Sequence, residues 1–277
     1  MKLRIFLIII FIILITYLIN LLPTYQTVKT AAAESSPVQT SLSDNDIVKD
    51  IMGHVNVQQQ EVMIKLDSLA SIEKSSERKS GLWHQLALYS YDSLSQMLLY
   101  YLYEYKSVDL SLNQKYREQF AQLLMQQVFS ISQPIYQQWF ANKAKSLWLT
   151  CDSTSDSVKI SILACDLLGS LTSQPMVTVG LIQKYTGFDA TKTYSNFVLG
   201  LAGKKSGQFS KAIQRFLVIL HTEPKNMDIL LNLAECYELN NQIDSAKLYY
   251  QNAYENTSND FLKKSLKDKL TSLVNNH

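Results

Sequence analysis

The sequence predicts an all-α chain: an N-terminal transmembrane helix followed by stacked helical hairpins. Three observations predict it. Glycine (8) and proline (5) are scarce among the 277 residues, which suits helices joined by short turns and argues against a sandwich or barrel. A dense apolar block occupies the extreme N-terminus. The C-terminal part repeats itself at a fixed period, the mark of an architecture built by stacking one unit on the next.

Lys2 and Arg4 precede the apolar block, which runs from Ile5 to Leu22 with Thr16, Tyr17 and Asn20 as its interruptions. At ~1.5 Å per residue that run is about 27 Å long, close to the hydrocarbon thickness of a bilayer. Residues 1–23 therefore read as a transmembrane signal-anchor. Ala31-Ala32-Ala33 before Glu34 also satisfies the small-residue rule for signal peptidase, so a soluble exported protein cleaved after Ala33 is the alternative. The run exceeds the ~7–15 residues of an ordinary signal-peptide core, and the interval from Leu22 to Ala33 is long for a cleavage region, so an uncleaved anchor is preferred. No cysteine follows the run, which excludes a lipoprotein anchor. The two N-terminal cations hold that end in the cytoplasm and place the remainder on the periplasmic, extracytoplasmic side of the membrane.

Residues 24–44 are rich in Ser, Thr, Ala and Gln without apolar periodicity and read as a flexible linker. Residues 45–73 read as one amphipathic helix, because Val48, Met52, Val55, Gln59, Val62, Leu66 and Leu69 alternate at spacings of four and three. That heptad seam makes residues 48–69 a candidate for homo-oligomerisation; packing on the chain's own domain is the other reading. Gln59 in the seam and Gly53 within the helix weaken the coiled coil.

Residues 82–156 are a helical region of unassigned function. Glu73 to Gly81 is a polar break, and Leu82 to Lys106 is expected as one long helix carrying six tyrosines between residues 89 and 105. Tyrosine at the rim of a helical core explains them more simply than a ligand-binding aromatic face. Further helices are expected at 113–130 and 134–149, the latter opening on Pro134 where a first turn tolerates proline. Ser157 to Leu171 and Pro175 to Tyr185 form another helix pair.

Shifting the chain by 34 residues superposes Leu199 on Leu233, Gly200 on Ala234, Phe209 on Ile243, Ala212 on Ala246 and Phe216 on Tyr250. Small residues at 200, 212, 234 and 246 let the two helices of a hairpin cross closely, while the large ones fill the space between hairpins. Gly207 and Asn241 stand at the turns, where positive φ is expected, and Pro224 stops the first repeat. On these residues the stretch resembles the tetratricopeptide repeat family, with its best repeats at 193–226 and 227–260. The departures are Gly203 where the family has an aromatic, Asn241 for the turn glycine and Ser258 for proline. Residues 157–277 as a whole then form a tetratricopeptide-type α-solenoid, with 157–188 in the slot of a degenerate repeat. Leu262, Leu266, Leu270, Leu273 and Val274 share one face of a capping helix, whose Lys263, Lys264, Lys267 and Lys269 face away.

The resemblance implies a concave groove for a partner segment, lined by Tyr194, Phe197, Leu201 and Lys204 in the first repeat. In the second repeat it implies Asp228, Leu231, Asn232, Glu235 and Glu238. The acidic residues of the second repeat point to a basic or mixed apolar segment and away from a clamp for a C-terminal carboxylate.

Composition narrows the function classes. A net charge of +2 without a basic stripe gives no reason to expect a nucleic-acid partner. Cys151, Cys165 and Cys236 are too few for a disulfide framework and lack a metal-ligand spacing. The loop holding Cys151 and the helix position of Cys165 are on the order of 12 Å apart, beyond the ~7 Å that a disulfide tolerates, so free or buried thiols are expected. His54, His84, His221 and His277 belong to no zinc motif, and no P-loop, Rossmann fingerprint or nucleophile elbow is present. The expectation is a non-enzymatic protein without cofactor or metal: a membrane-anchored scaffold that binds a protein or peptide segment in envelope assembly or export. A secreted soluble binding protein and an unrecognised helical enzyme in residues 82–190 are the alternatives.

Overall fold

The structure is a computed structural model describing residues 42–152, 154–186 and 189–275. The transmembrane reading of residues 1–23, and all but the end of the 24–44 linker, lie outside the described residues. No helix among the described residues is long and apolar enough to cross a membrane. Those residues form thirteen helices: α1 Asp44–Met52, α2 Val57–Ile72, α3 Ser76–Asp92, α4 Met97–Asp109, α5 Gln114–Ser130, α6 Pro134–Trp148, α7 Asp156–Leu168, α8 Pro175–Tyr185, α9 Asp189–Lys205, α10 Phe209–Thr222, α11 Met227–Leu239, α12 Ile243–Asn256 and α13 Asp260–Asn275. The described residues divide into two compact units, one up to Lys143 and one from Ala144 onward, with the boundary inside α6.

In the first unit the segment 45–73 is two helices rather than one. Gly53 ends α1, and the Asn56 side chain accepts from the Gln59 N–H to cap α2, so the heptad seam is interrupted at its first third. On α2 the residues turned inward are Met63 and Ala70, one position beyond the seam; Val62 and Leu69 are exposed. Helix α1 opens on a capping box between Ser43 and Asp46. Asp44 of α1 accepts from Trp139 Nε1 at 3.0 Å and pairs with Lys143 at 2.8 Å, which fixes α1 against α6.

The expected long helix over 82–106 is instead the hairpin of α3 and α4. Ser75 caps α3 at a point read from sequence as a polar break, and the turn at 93–96 places Ser95 at φ 53°. No glycine or proline marks that turn, so nothing in the residue types betrays it. Between α3 and α4, Trp83 stacks on Tyr103 with ring centroids 5.8 Å apart, and Lys106 lies 4.4 Å above the indole. Tyr101 is buried edge-on against Phe140 at 5.3 Å. The tyrosines at 101 and 103 are thus core residues. Glu104, also buried, accepts from Tyr116 of α5 and faces His84 Nδ1 at 2.7 Å.

In the second unit the expected helices at 157–171 and 175–185 appear as α7 and α8, followed by two hairpins, α9–α10 and α11–α12, and then α13. The three cysteines are buried. Leu262, Leu266 and Leu273 of α13 pack on Leu230, Ala246 and Tyr250, which closes the array with an apolar face. One lysine departs from the outward set: Lys269 turns toward the array and pairs with Glu238 at 2.7 Å.

Candidate functional site

The two C-terminal hairpins share the geometry of their turns and crossings. Gly207 (φ 74°) and Asn241 (φ 59°) occupy the left-handed position of their turns. In each, the residue after the turn donates back across it, Gln208 to the Gly203 carbonyl and Gln242 to that of Tyr237, both at 2.8 Å. Small residues permit the crossings: a Cβ on Gly200 would lie 2.6 Å from the Phe216 ring, and Ala212 and Ala246 are wholly buried. The Asn226 side chain caps α11 by accepting from the Ile229 N–H, just after Pro224 has ended the first hairpin.

This frame brings three of the expected groove residues together. Lys204 Nζ on α9 donates to Asn232 Oδ1 on α11 at 2.9 Å and pairs with the Glu235 carboxylate. The Asn232 amide in turn donates to the Asp228 carbonyl at 2.8 Å. Both charged partners are partly solvated, so the pair contributes at most about 1 kcal/mol and acts chiefly to hold the first helices of the two repeats in register. Beside it, Leu201 and Leu231 are half-buried against the hairpin cores, and Asp228 is exposed.

The other expected residues lie differently. Tyr194 directs its hydroxyl at Ser161 of α7, and burial pushes its ionisation above the ordinary tyrosine range. Phe197 packs its ring against Phe216, 6.4 Å between centroids, as part of the hairpin core. Glu238 accepts from Tyr250 at 3.0 Å as well as from Lys269, so its charge is answered from α12 and α13. Of the acidic face read from the second repeat, Glu235 and Glu238 are therefore compensated by lysines.

Residues 205–267 match the family model described as tetratricopeptide repeat. That stretch is similar to tetratricopeptide repeats. Repeats of that family stack unit on unit and present an extended surface. No curated protein matches the sequence. Among solved structures, the crystal structure of MamA protein is similar at 14% identity, covering 64% of this chain and 91% of that one, with a TM-score of 0.36.

One contrast between the two hairpins was legible in the sequence and is absent from the expected groove. Tyr237 and Tyr249 stack with centroids 5.2 Å apart and planes 5° from parallel, filling the space beside the core shared by the two hairpins. Shifted by 34 residues, the same two positions in the first hairpin are Gly203 and Arg215.

Proposed function

We propose that this protein is a membrane-anchored adaptor, exposed on the periplasmic side, that holds a partner segment against the first helices of its repeats during envelope assembly or export. The observation that carries the groove reading is the Lys204–Asn232–Glu235 cluster, which ties α9 to α11, the helices that also carry the half-buried Leu201 and Leu231. With Glu235 and Glu238 each facing a lysine, a mixed apolar segment suits this surface better than a strongly basic one. The anchor rests on the apolar run from Ile5 to Leu22 behind Lys2 and Arg4. Tethering at the bilayer raises the local concentration of the scaffold for membrane-proximal partners, so modest affinity suffices.

Photo-crosslinking from native membranes tests this reading. A photoreactive amino acid at position 235 is expected to capture a partner that the same probe at Lys264, on the exposed back of α13, does not. Equal capture from both positions, or none from 235, would remove the groove from the mechanism. Alkaline carbonate extraction tests the anchor separately: release of the full-length chain into the soluble fraction would leave an exported soluble binder.

A further inference from the structure

The first hairpin carries a second recess, on the side where α8 runs past it. In the second repeat, α10 of the preceding hairpin packs directly on α11. The equivalent helix for the first repeat, α8, touches α9 only lightly and instead packs on α7. Between α8 and the α9–α10 hairpin lies an open groove of about 840 Å³, a size usual for ligand sites. Its floor is Leu199 and Gly203, and its walls include Met176, Val179 and Val218. Met176 is 69% exposed and Val218 is 45% exposed, so apolar surface here faces solvent uncovered.

The internal repeat says what is missing. In the second hairpin the ring of Tyr237 lies flat on Tyr249 and plugs this position. In the first, Gly203 contributes no side chain and Arg215 stands where the second ring of the stack would be. A Cβ built on Gly203 meets Ala212 at 3.4 Å, an ordinary contact, so the backbone did not require glycine for closeness or for turn geometry. The gap is thus a vacancy in the packing pattern rather than a consequence of the crossing. A guanidinium plane is a good surface for an incoming aromatic ring.

Charge selects the occupant further. Among the described residues, Lys205, Lys211 and Arg215 line the groove and no carboxylate does. Lys205 is committed to the C-terminal end of α7, donating to the Leu168 carbonyl at 2.6 Å and to Ser170 at 3.1 Å. Lys211 and Arg215 are held by neutral amides, Gln208 at 2.8 Å and Asn196 at 3.0 Å, and keep their full charge for a ligand. We propose that this groove is a second docking site, which takes a protein segment presenting an aromatic side chain flanked by carboxylates. The ring enters the gap above Gly203 against Arg215, and the carboxylates pair with Lys211 and Arg215. This site uses α8, α10 and the far side of α9, so it does not depend on the surface proposed above.

Fluorescence anisotropy on the full-length chain tests it, using a labelled eight-residue peptide with one phenylalanine between glutamates. Binding is expected, and it should weaken at least tenfold when the phenylalanine is replaced by alanine or the glutamates by lysines. Gly203→Tyr rebuilds the side chain that Tyr237 supplies in the sister repeat, and is expected to abolish binding while leaving helicity and melting temperature near those of the unaltered protein. Lys211→Glu, at an exposed position, should also weaken binding tenfold or more and remove much of its salt dependence. Undiminished binding to Gly203→Tyr would overturn the proposal, as would equal affinity for the alanine peptide or no binding at all. Glu235→Lys, which disturbs the other surface, is expected to leave this peptide's affinity unchanged; a parallel loss would mean that the two sites are one.

Discussion

The aromatic helices α3–α5 and the repeat hairpins α9–α12 solve the same packing problem in opposite ways. In the repeats, the helices approach because small residues vacate the crossing points: Gly200 beneath Phe216, and Ala212 and Ala246 within their hairpins. In α3–α5 the crossings are filled by rings, Trp83 on Tyr103 and Tyr101 on Phe140, beside a buried carboxylate, Glu104, that accepts from Tyr116 and faces His84. The first solution recurs at a period and tolerates duplication. The second is made once, from residues that fit only one another. A small-residue crossing should therefore fail by overfilling, and the aromatic cluster by losing a partner or a proton.

The largest effect is expected from overfilling. Ala212→Arg or Ala246→Arg places a long cation at a wholly buried crossing, with a cost on the order of 5 kcal/mol, comparable to the stability of a small domain. Circular dichroism should show the loss of the repeat helices. Trp83 and Trp139 lie in the first unit, so in a Trp148→Phe background their emission reports on that unit. Unchanged emission would mean that the two regions fold separately, whereas a joint loss would make them one cooperative unit. Wild-type helicity and melting in either variant would show that the 34-residue register is misplaced.

A smaller effect, of opposite character, is expected at His84. Its hydrogen bond to Glu104 raises the imidazole pKa above the ordinary value near 6.5, against the opposing influence of burial. A raised pKa in the folded state means that the pair contributes fully below pH 6.5 and that this contribution is lost as the pH climbs through the folded value. The groups facing Glu104 are Tyr100 from α4 and Tyr116 from α5, and both tyrosines are shifted upward by burial, so neither ionises in the same range. The melting temperature should decline as the pH rises above 6.5, with an amplitude of about 0.5 kcal/mol after solvent screening of the half-exposed histidine. His84→Gln keeps a donor but cannot titrate, so it should flatten that decline. An unaltered slope in this variant would assign the pH dependence elsewhere.

The smallest effects belong to the turns, and they sharpen the equivalence of the two repeats. Gly207→Ala forces a Cβ into a left-handed residue and should cost about 1 kcal/mol in chemical denaturation. Asn241→Gly relaxes the same geometry in the sister turn and should stabilise by a few tenths of a kcal/mol. Equal responses of the same sign would show that the two turns are not doing the same task.

How much of this was readable follows from the same contrast. The repeats announced themselves because each packing requirement recurs at a fixed distance: Gly207 with Asn241 for the turns, and Ala212 with Ala246 for the crossings. The hairpin of α3 and α4 was invisible because its turn rests on Ser95, a residue type that gives no notice of positive φ. Apolar spacing likewise ran through Gly53 and suggested one helix, when the Asn56 cap decides that α2 starts afresh. Among the groove residues, sequence placed Lys204, Asn232 and Glu235 on facing helices, but it could not see that Tyr194 and Phe197 are consumed by packing or that Lys269 reaches back to Glu238. Long side chains choose partners on another helix, 28 to 31 residues away in these pairs, and spacing within one helix does not encode that choice.

The burial of the cysteines has a consequence for where such a protein can work. Cys165 is wholly enclosed in α7 and Cys236 in α11, and loss of solvent lifts both thiols far from the range in which they would be nucleophilic, Cys236 to about 11. Cys151 is buried too, its Sγ bonded to the Leu147 carbonyl at 3.3 Å. A chain so arranged is indifferent to the oxidant around it: it needs no disulfide to hold its shape, and once folded it offers no thiolate to a disulfide-forming catalyst. Its window of vulnerability is the interval between emergence and folding, and the shortness of the local contacts in helical hairpins keeps that interval brief.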